Sequence, residues 1–117
     1  MKVLYIGCVT SSFEFLKSIF QNTEAELVGV VTKIKSNYNA DHHSLHVFCE
    51  EHSIDWIDYQ DNDQLIQYIH EKSPDIIYCF GWSHLLPKEV YSIPRLGAVG
   101  YHPTLLPKNR GRHPIIW

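Results

Sequence analysis

Apolar residues come in short runs along this chain, separated by polar segments rich in Ser and Asn. Residues 3–8 form a continuous apolar run, the pattern of a strand covered on both faces. Thr10, Ser11 and Ser12 follow and can cap a helix. In that helix Phe13, Leu16 and Phe20 fall at helical spacing, and Phe15 and Ile19 widen the stripe. Residues 25–32 (AELVGVVT) are β-branched and apolar and predict a second buried strand. A polar loop, 33–41, leads to a helix over 44–51 that buries Leu45, Phe48 and Cys49. A short strand is expected over 54–59, then a helix capped by Asp61 with Leu65, Ile66 and Ile69 facing inward. Pro74 ends that region, and 75–80 reads as another buried strand. A short helix over 87–91 stops before Pro94, and 97–101 is the next strand. Strands alternating with helices predict βαβ units and right-handed crossovers. The expected class is α/β, an open, mostly parallel twisted sheet with helices on both faces. Ligands in such sheets bind at the carboxyl ends of the strands, so the loops 81–87 and 102–114 stand out. Residues 113–117 read as a helix opening with Pro114 near its first turn. An apolar helix start with no helix after it predicts that the natural polypeptide continues past Trp117.

Composition narrows this further. The 117 residues suffice for one small domain with a single core. A formal net charge of −3 gives no broad basic field of the kind nucleic acid attracts, although Lys108, Arg110 and Arg112 cluster locally. Apolar stretches are too short to span a bilayer, and the opening run is too short for a signal peptide, so a cytoplasmic protein without a membrane partner is expected. Cys8, Cys49 and Cys79 are widely spaced and odd in number, which suits free thiols in a reducing compartment. His42, His43 and His46 have a spacing that metal sites use, but only Asp41 stands beside them. They read as solvated loop and helix residues, and no metal is assigned. Residues 7–12 lack GxGxxG, so no dinucleotide site is expected.

Two stretches carry chemistry: 80–90 (FGWSHLLPKEV) and 97–117 (GAVGYHPTLLPKNRGRHPIIW). They resemble the formyltransferases that use 10-formyltetrahydrofolate. That group includes methionyl-tRNA formyltransferase, glycinamide ribonucleotide formyltransferase and the sugar N-formyltransferases. The resemblance covers the layout of nearly the whole chain and is specific in these two stretches. It implies that residues 1–117 are the amino-terminal part of a Rossmann-like catalytic domain, and that the chain stops before the domain is complete. It further implies 10-formyltetrahydrofolate as co-substrate and an amine as acceptor. The family pattern has Asn-x-His at the end of this strand and an Asp further on. Here the His is His102, Gly100 stands at the Asn position, and the Asp would lie beyond Trp117.

The reaction explains the residue types. A neutral amine attacks the formyl carbon, and donors must meet the oxyanion that develops. By resemblance, His102 stabilises that oxyanion and carries the proton. Gly100 cannot supply the second donor that the family's Asn supplies, and losing one such donor costs roughly two to three powers of ten in rate. A backbone N–H, an ordered water or an altered activity are all open. The resemblance places Trp82, Leu85 and Leu86 in the pterin-binding region, with Leu105 and Pro107 at the mouth of the cleft. Arg110 and Arg112 are candidates for the acidic tail of the folate or a phosphate on the acceptor. Asn39 lies in the loop after the second strand, which in sugar-modifying members lies near the acceptor. His84 and His113 read as loop histidines, and Trp56 and Tyr59 as core aromatics. An amino sugar is favoured over methionyl-tRNA as acceptor, because the broad basic charge that tRNA binding favours is missing. The rival readings are hydrolysis of the same folate, as in the deformylases, and an inactive folate-binding domain. A homo-oligomer is compatible with each.

Overall fold

The structure, a computed structural model, describes residues 1–22, 24–35, 42–82, 85–101 and 115–116. Six strands share one sheet: β1 (Lys2–Ile6), β2 (Glu26–Thr32), β3 (Trp56–Asp58), β4 (Ile76–Phe80), β5 (Ala98–Tyr101) and β6 (Ile115–Ile116). Their order is β3-β2-β1-β4-β5-β6. The first five strands are parallel, and β6 runs antiparallel to β5. The helices are α1 (Thr10–Gln21), α2 (His46–Glu51), α3 (Asn62–Lys72) and α4 (Lys88–Tyr91). The sheet is thus open and mostly parallel, as the alternating pattern predicts.

The first strand in sequence lies inside the sheet, between β2 and β4, which is why Val3, Leu4, Tyr5 and Ile6 are all buried. Side chains alternate across a strand, so the sheet divides the expected single core in two. On one face Leu4, Ile6, Val31, Ile77 and Cys79 meet Leu65, Tyr68 and Ile69 of α3 and Val90 of α4. On the other, Tyr5 and Val30 meet Leu16 of α1 and Leu45 and Cys49 around α2, with Tyr78 and Phe80 packed against them. Each fully buried aliphatic side chain contributes about 1.5–3 kcal/mol. Helices cover both faces, which explains why β1 and β4 read as unbroken apolar runs instead of alternating ones.

Helix α3 begins where its sequence says: the Asp61 carboxylate accepts the Gln64 N–H at 2.8 Å. It ends at Ser73 in the left-handed region (φ 47°), just ahead of Pro74. Helix α1 departs from expectation. Its N-cap is Val9, which makes no side-chain cap bond, and Ser12 acts from inside the first turn by accepting the Val9 N–H at 3.2 Å. The expected helix opening at 113–117 is also corrected, because Ile115 and Ile116 pair with Gly100 and Val99 as strand β6. The free edge of β5 offers unpaired N–H and C=O groups, and β-branched isoleucine suits an extended backbone. Among the described residues no helix is long and apolar enough to cross a membrane.

Candidate functional site

The chain leaves β1 toward β2 on one side and reaches β4 on the other, so the strand order reverses between the carboxyl ends of β1 and β4. The residues there are drawn tightly together. The Gly7 N–H donates to the Val31 carbonyl at 3.1 Å, and the Cys8 N–H donates to the Gly81 carbonyl at 3.3 Å. Ser12 is fully buried and donates its hydroxyl to the Phe80 carbonyl at 2.6 Å. The Tyr5 hydroxyl donates to the Ser12 carbonyl at 2.7 Å, and burial pushes that phenol well above its ordinary pKa. Glycine is required on both sides of this joint. A Cβ on Gly7 would stand 2.5 Å from the Phe80 carbonyl oxygen, and Gly81 has a φ of 70° with Ser12 and Val9 against it. The turn after β1 is therefore bolted to the exit from β4.

The two motif stretches meet at this edge. Phe80, the last residue of β4, pairs in register with Tyr101, the last of β5. The loop that starts at Gly81 and the segment that starts after Tyr101 therefore leave the sheet on neighbouring strands. Of the predicted pterin-region residues, Trp82 and Leu86 are each 4% exposed and belong to the core under α3 and α4, whereas Leu85 is 69% exposed. Trp82 and Leu86 thus anchor the loop and Leu85 stands on its surface. His102, Leu105, Pro107, Arg110, Arg112 and Asn39 lie outside the described residues, as do His84 and His113.

Trp82 reaches sideways to the end of β3. Its ring meets that of Tyr59 edge to face at 5.3 Å between centroids. The Lys33 ammonium stands 5.3 Å from the Trp82 centroid and 5.5 Å from that of Tyr59, within cation–π range. Beside this group is a cleft of about 480 Å³ lined by Lys33, Ile34, Lys35, Asp58, Tyr59 and Gln60. Sequence spacing gives no reason to single out these residues. Their one signal is position, directly after strands β2 and β3.

The remaining candidates are structural. His42 Nε2 lies 2.8 Å from the Lys33 carbonyl, His43 stacks on Phe13, and His46 Nδ1 lies 2.7 Å from the Ser44 hydroxyl. The three rings go separate ways, and among the described residues no cluster of His, Cys, Asp or Glu could hold a metal ion. Cys8, Cys49 and Cys79 form no disulfide and are buried. Burial, helped by Glu50 and Asp55, pushes the Cys49 thiol up to about 12, and burial with Cys8 nearby raises Cys79. Such thiols are inert at neutral pH.

The strand order reverses between β1 and β4, which makes this a doubly wound α/β sheet, an architecture whose ligands bind beside the carboxyl ends of the strands. The chain matches the formyl transferase family over residues 1–117, and it belongs to that family. The methionyl-tRNA formyltransferase of Ehrlichia ruminantium (strain Welgevonden) is 34% identical, over 98% of this chain and 40% of that protein. That of Fusobacterium nucleatum is 31% identical, over 98% of this chain and 38% of that protein. The chain therefore spans about 40% of the length of these curated relatives. Among solved structures, the phosphoribosylglycinamide formyltransferase of Bacillus halodurans superposes with a TM-score of 0.69 at 18% identity, covering 97% of this chain and 61% of that one. A formyltetrahydrofolate deformylase from Pseudomonas putida KT2440 gives 0.56 at 15% identity, covering 85% of this chain and 36% of that one. At these identities the structural likeness establishes the fold.

Proposed function

We propose that residues 1–117 are the folate-binding part of a cytoplasmic catalytic domain that moves a formyl group from 10-formyltetrahydrofolate to a primary amine. The observation that carries this reading is the in-register pairing of Phe80 with Tyr101. Adjacent parallel strands lie about 4.8 Å apart, so the chain enters the folate loop from β4 beside the end of β5 at Tyr101, the residue that precedes His102 in sequence. In this reading the pterin lies against the loop 81–86, with Leu85 the exposed apolar contact and Trp82 and Leu86 holding the loop from below. Leu105 and Pro107 close the mouth, and Arg110 and Arg112 take anionic groups of the folate tail or the acceptor. The amine adds to the formyl carbon, His102 donates to the oxyanion and relays the amine proton, and tetrahydrofolate leaves as the C–N bond to the donor breaks.

For the acceptor, a small amine such as an amino sugar is favoured by the net charge of −3, with Asn39 a candidate contact. Methionyl-tRNA is the second reading, favoured by the relatives that carry that name. The test is formyl transfer by the full-length protein from 10-formyltetrahydrofolate to a panel of amino sugars and methionyl-tRNA. Transfer to at least one acceptor is expected, with His102→Ala lowering the rate roughly 10²- to 10³-fold while still binding folate. Folate binding with no transfer to any amine would remove the proposal, and formate release without an amine would move it to hydrolysis.

A further inference from the structure

We infer that Lys33 is a positioning residue for the folate loop, which it holds, together with Tyr59, through the ring of Trp82. The inference rests on the formyl-transfer reading and adds to that site two residues from outside its motif stretches. The Lys33 ammonium stands 5.3 Å from the Trp82 centroid and 5.5 Å from that of Tyr59, and the two centroids are 5.3 Å apart. The three points make a nearly equilateral triangle, with the ring planes at 89° to each other. The cation therefore meets both rings at once, and the rings meet edge to face, which is a favoured aromatic geometry. A ring held at two such contacts keeps its tilt as well as its place.

Three observations set this bracket apart from ordinary core packing. The first is its span. Strands β3 and β4 are three strand spacings apart in the sheet, about 14 Å. Tyr59 and Trp82 follow those two strands and meet only by reaching toward each other across the places of β2 and β1. The second is an inversion of residue types at the end of β2. Lys33 is half-buried against the rings, while the apolar Ile34 beside it is 40% exposed. Burial ordinarily takes isoleucine before lysine. The third is that the bracket is itself tied down. The Lys33 carbonyl lies 2.8 Å from His42 Nε2, and the Ile34 N–H donates to Asp58 Oδ1 at 3.0 Å. Tyr59 donates its N–H to the Thr32 carbonyl and its hydroxyl to Asn62 Oδ1, each at 2.9 Å. Trp82 directly follows Gly81, the joint to β4. Fixing its ring fixes the way the loop departs, and buried Leu86 anchors the far end, so exposed Leu85 is presented from a seat held on both sides.

The experiment measures binding of 5-formyltetrahydrofolate to the full-length protein by calorimetry, for the parent, Lys33→Met, Lys33→Arg and Lys35→Met. Methionine keeps an unbranched side chain and removes the charge, whereas arginine keeps a cation over the rings. Lys33→Met should weaken folate binding about threefold to tenfold, the range a cation–π contact supports. Lys33→Arg should stay within about twofold of the parent. Lys35→Met takes the same charge from the same cleft and should bind folate as the parent does. A double-mutant cycle with Trp82→Leu tests the route, since the effect of Lys33→Met should vanish once that ring is gone. Unaltered folate binding in Lys33→Met, an equal loss in Lys35→Met or in Lys33→Arg, or a loss that persists in full in the Trp82→Leu background would each overturn the inference. The lysine variants decide it even where Trp82→Leu does not fold. A parent that binds no folate would defeat the formyl-transfer reading itself and the inference with it, whereas the variant outcomes bear on the inference alone.

Discussion

Ser12 joins three parts of the fold through one small side chain. Its hydroxyl donates to Phe80, accepts from Val9 and is fully buried, and its carbonyl receives the Tyr5 hydroxyl. Ser12→Ala leaves the Phe80 carbonyl and the Val9 N–H without that partner. A buried polar group so orphaned costs about 1–3 kcal/mol. Urea unfolding should show a loss in that range, and amide exchange at Cys8, which donates to Gly81 across the same joint, should quicken. An unchanged midpoint would mean that the hydroxyl is dispensable. Ser12 illustrates what spacing conveys at this scale. The sequence offers it as a helix cap, which is a local role, but its main partner lies at residue 80 and only the folded sheet brings them together. His102 is the opposite case, since the sequence run around it is by itself the ground for proposing its role.

At the scale of elements, a local signal is enough where the partner is also local. Asp61 caps α3 across three residues, so the sequence predicts it and the structure shows it. Asp61→Ala should cost about 1 kcal/mol, seen as a lower midpoint in thermal unfolding followed by circular dichroism, and Asp61→Asn should stay near the parent. Strands β1, β2 and β4 are legible because both of their faces are covered. Their bounds differ by a residue or two, as at Gly7 and Cys8, whose backbone already turns to the neighbouring loops. Ile115 and Ile116 depart from expectation because Pro114 suggests a helix start, while the strand edge that recruits them is a tertiary fact. Of the candidate site, the family is readable in the motif. The Lys33, Tyr59 and Trp82 grouping is not, because it joins three separate loops.

At the scale of the molecule, two carboxylates hold distant segments together. Asp75 accepts the Lys2 N–H at 2.8 Å and meets Arg95 at 3.2 Å, and these contacts hold its carboxyl below the usual range. Burial would raise Asp55, but the Tyr68 hydroxyl at 2.6 Å and the Lys72 ammonium at 3.0 Å outweigh it and lower its pKa. A carboxyl depressed by folding adds stability above its unfolded pKa of about 3.9, and that stability is lost as pH falls through the lower folded value. Melting temperature should therefore drop as pH goes from 5 toward 2, about the range where such carboxyls protonate. The Asp55→Asn, Asp75→Asn double variant should melt lower than the parent at neutral pH, with the gap closing in acid. A gap of constant size would show that the charges are not responsible. The placement of β1 has a consequence for how the chain is made. Its second neighbour, β4, arrives late: Lys2 meets Asp75 across a separation of 73 residues. During synthesis this inner strand emerges well before β4 and must wait with one hydrogen-bonding edge bare. That is the arrangement that slows folding and invites mispairing between nascent chains.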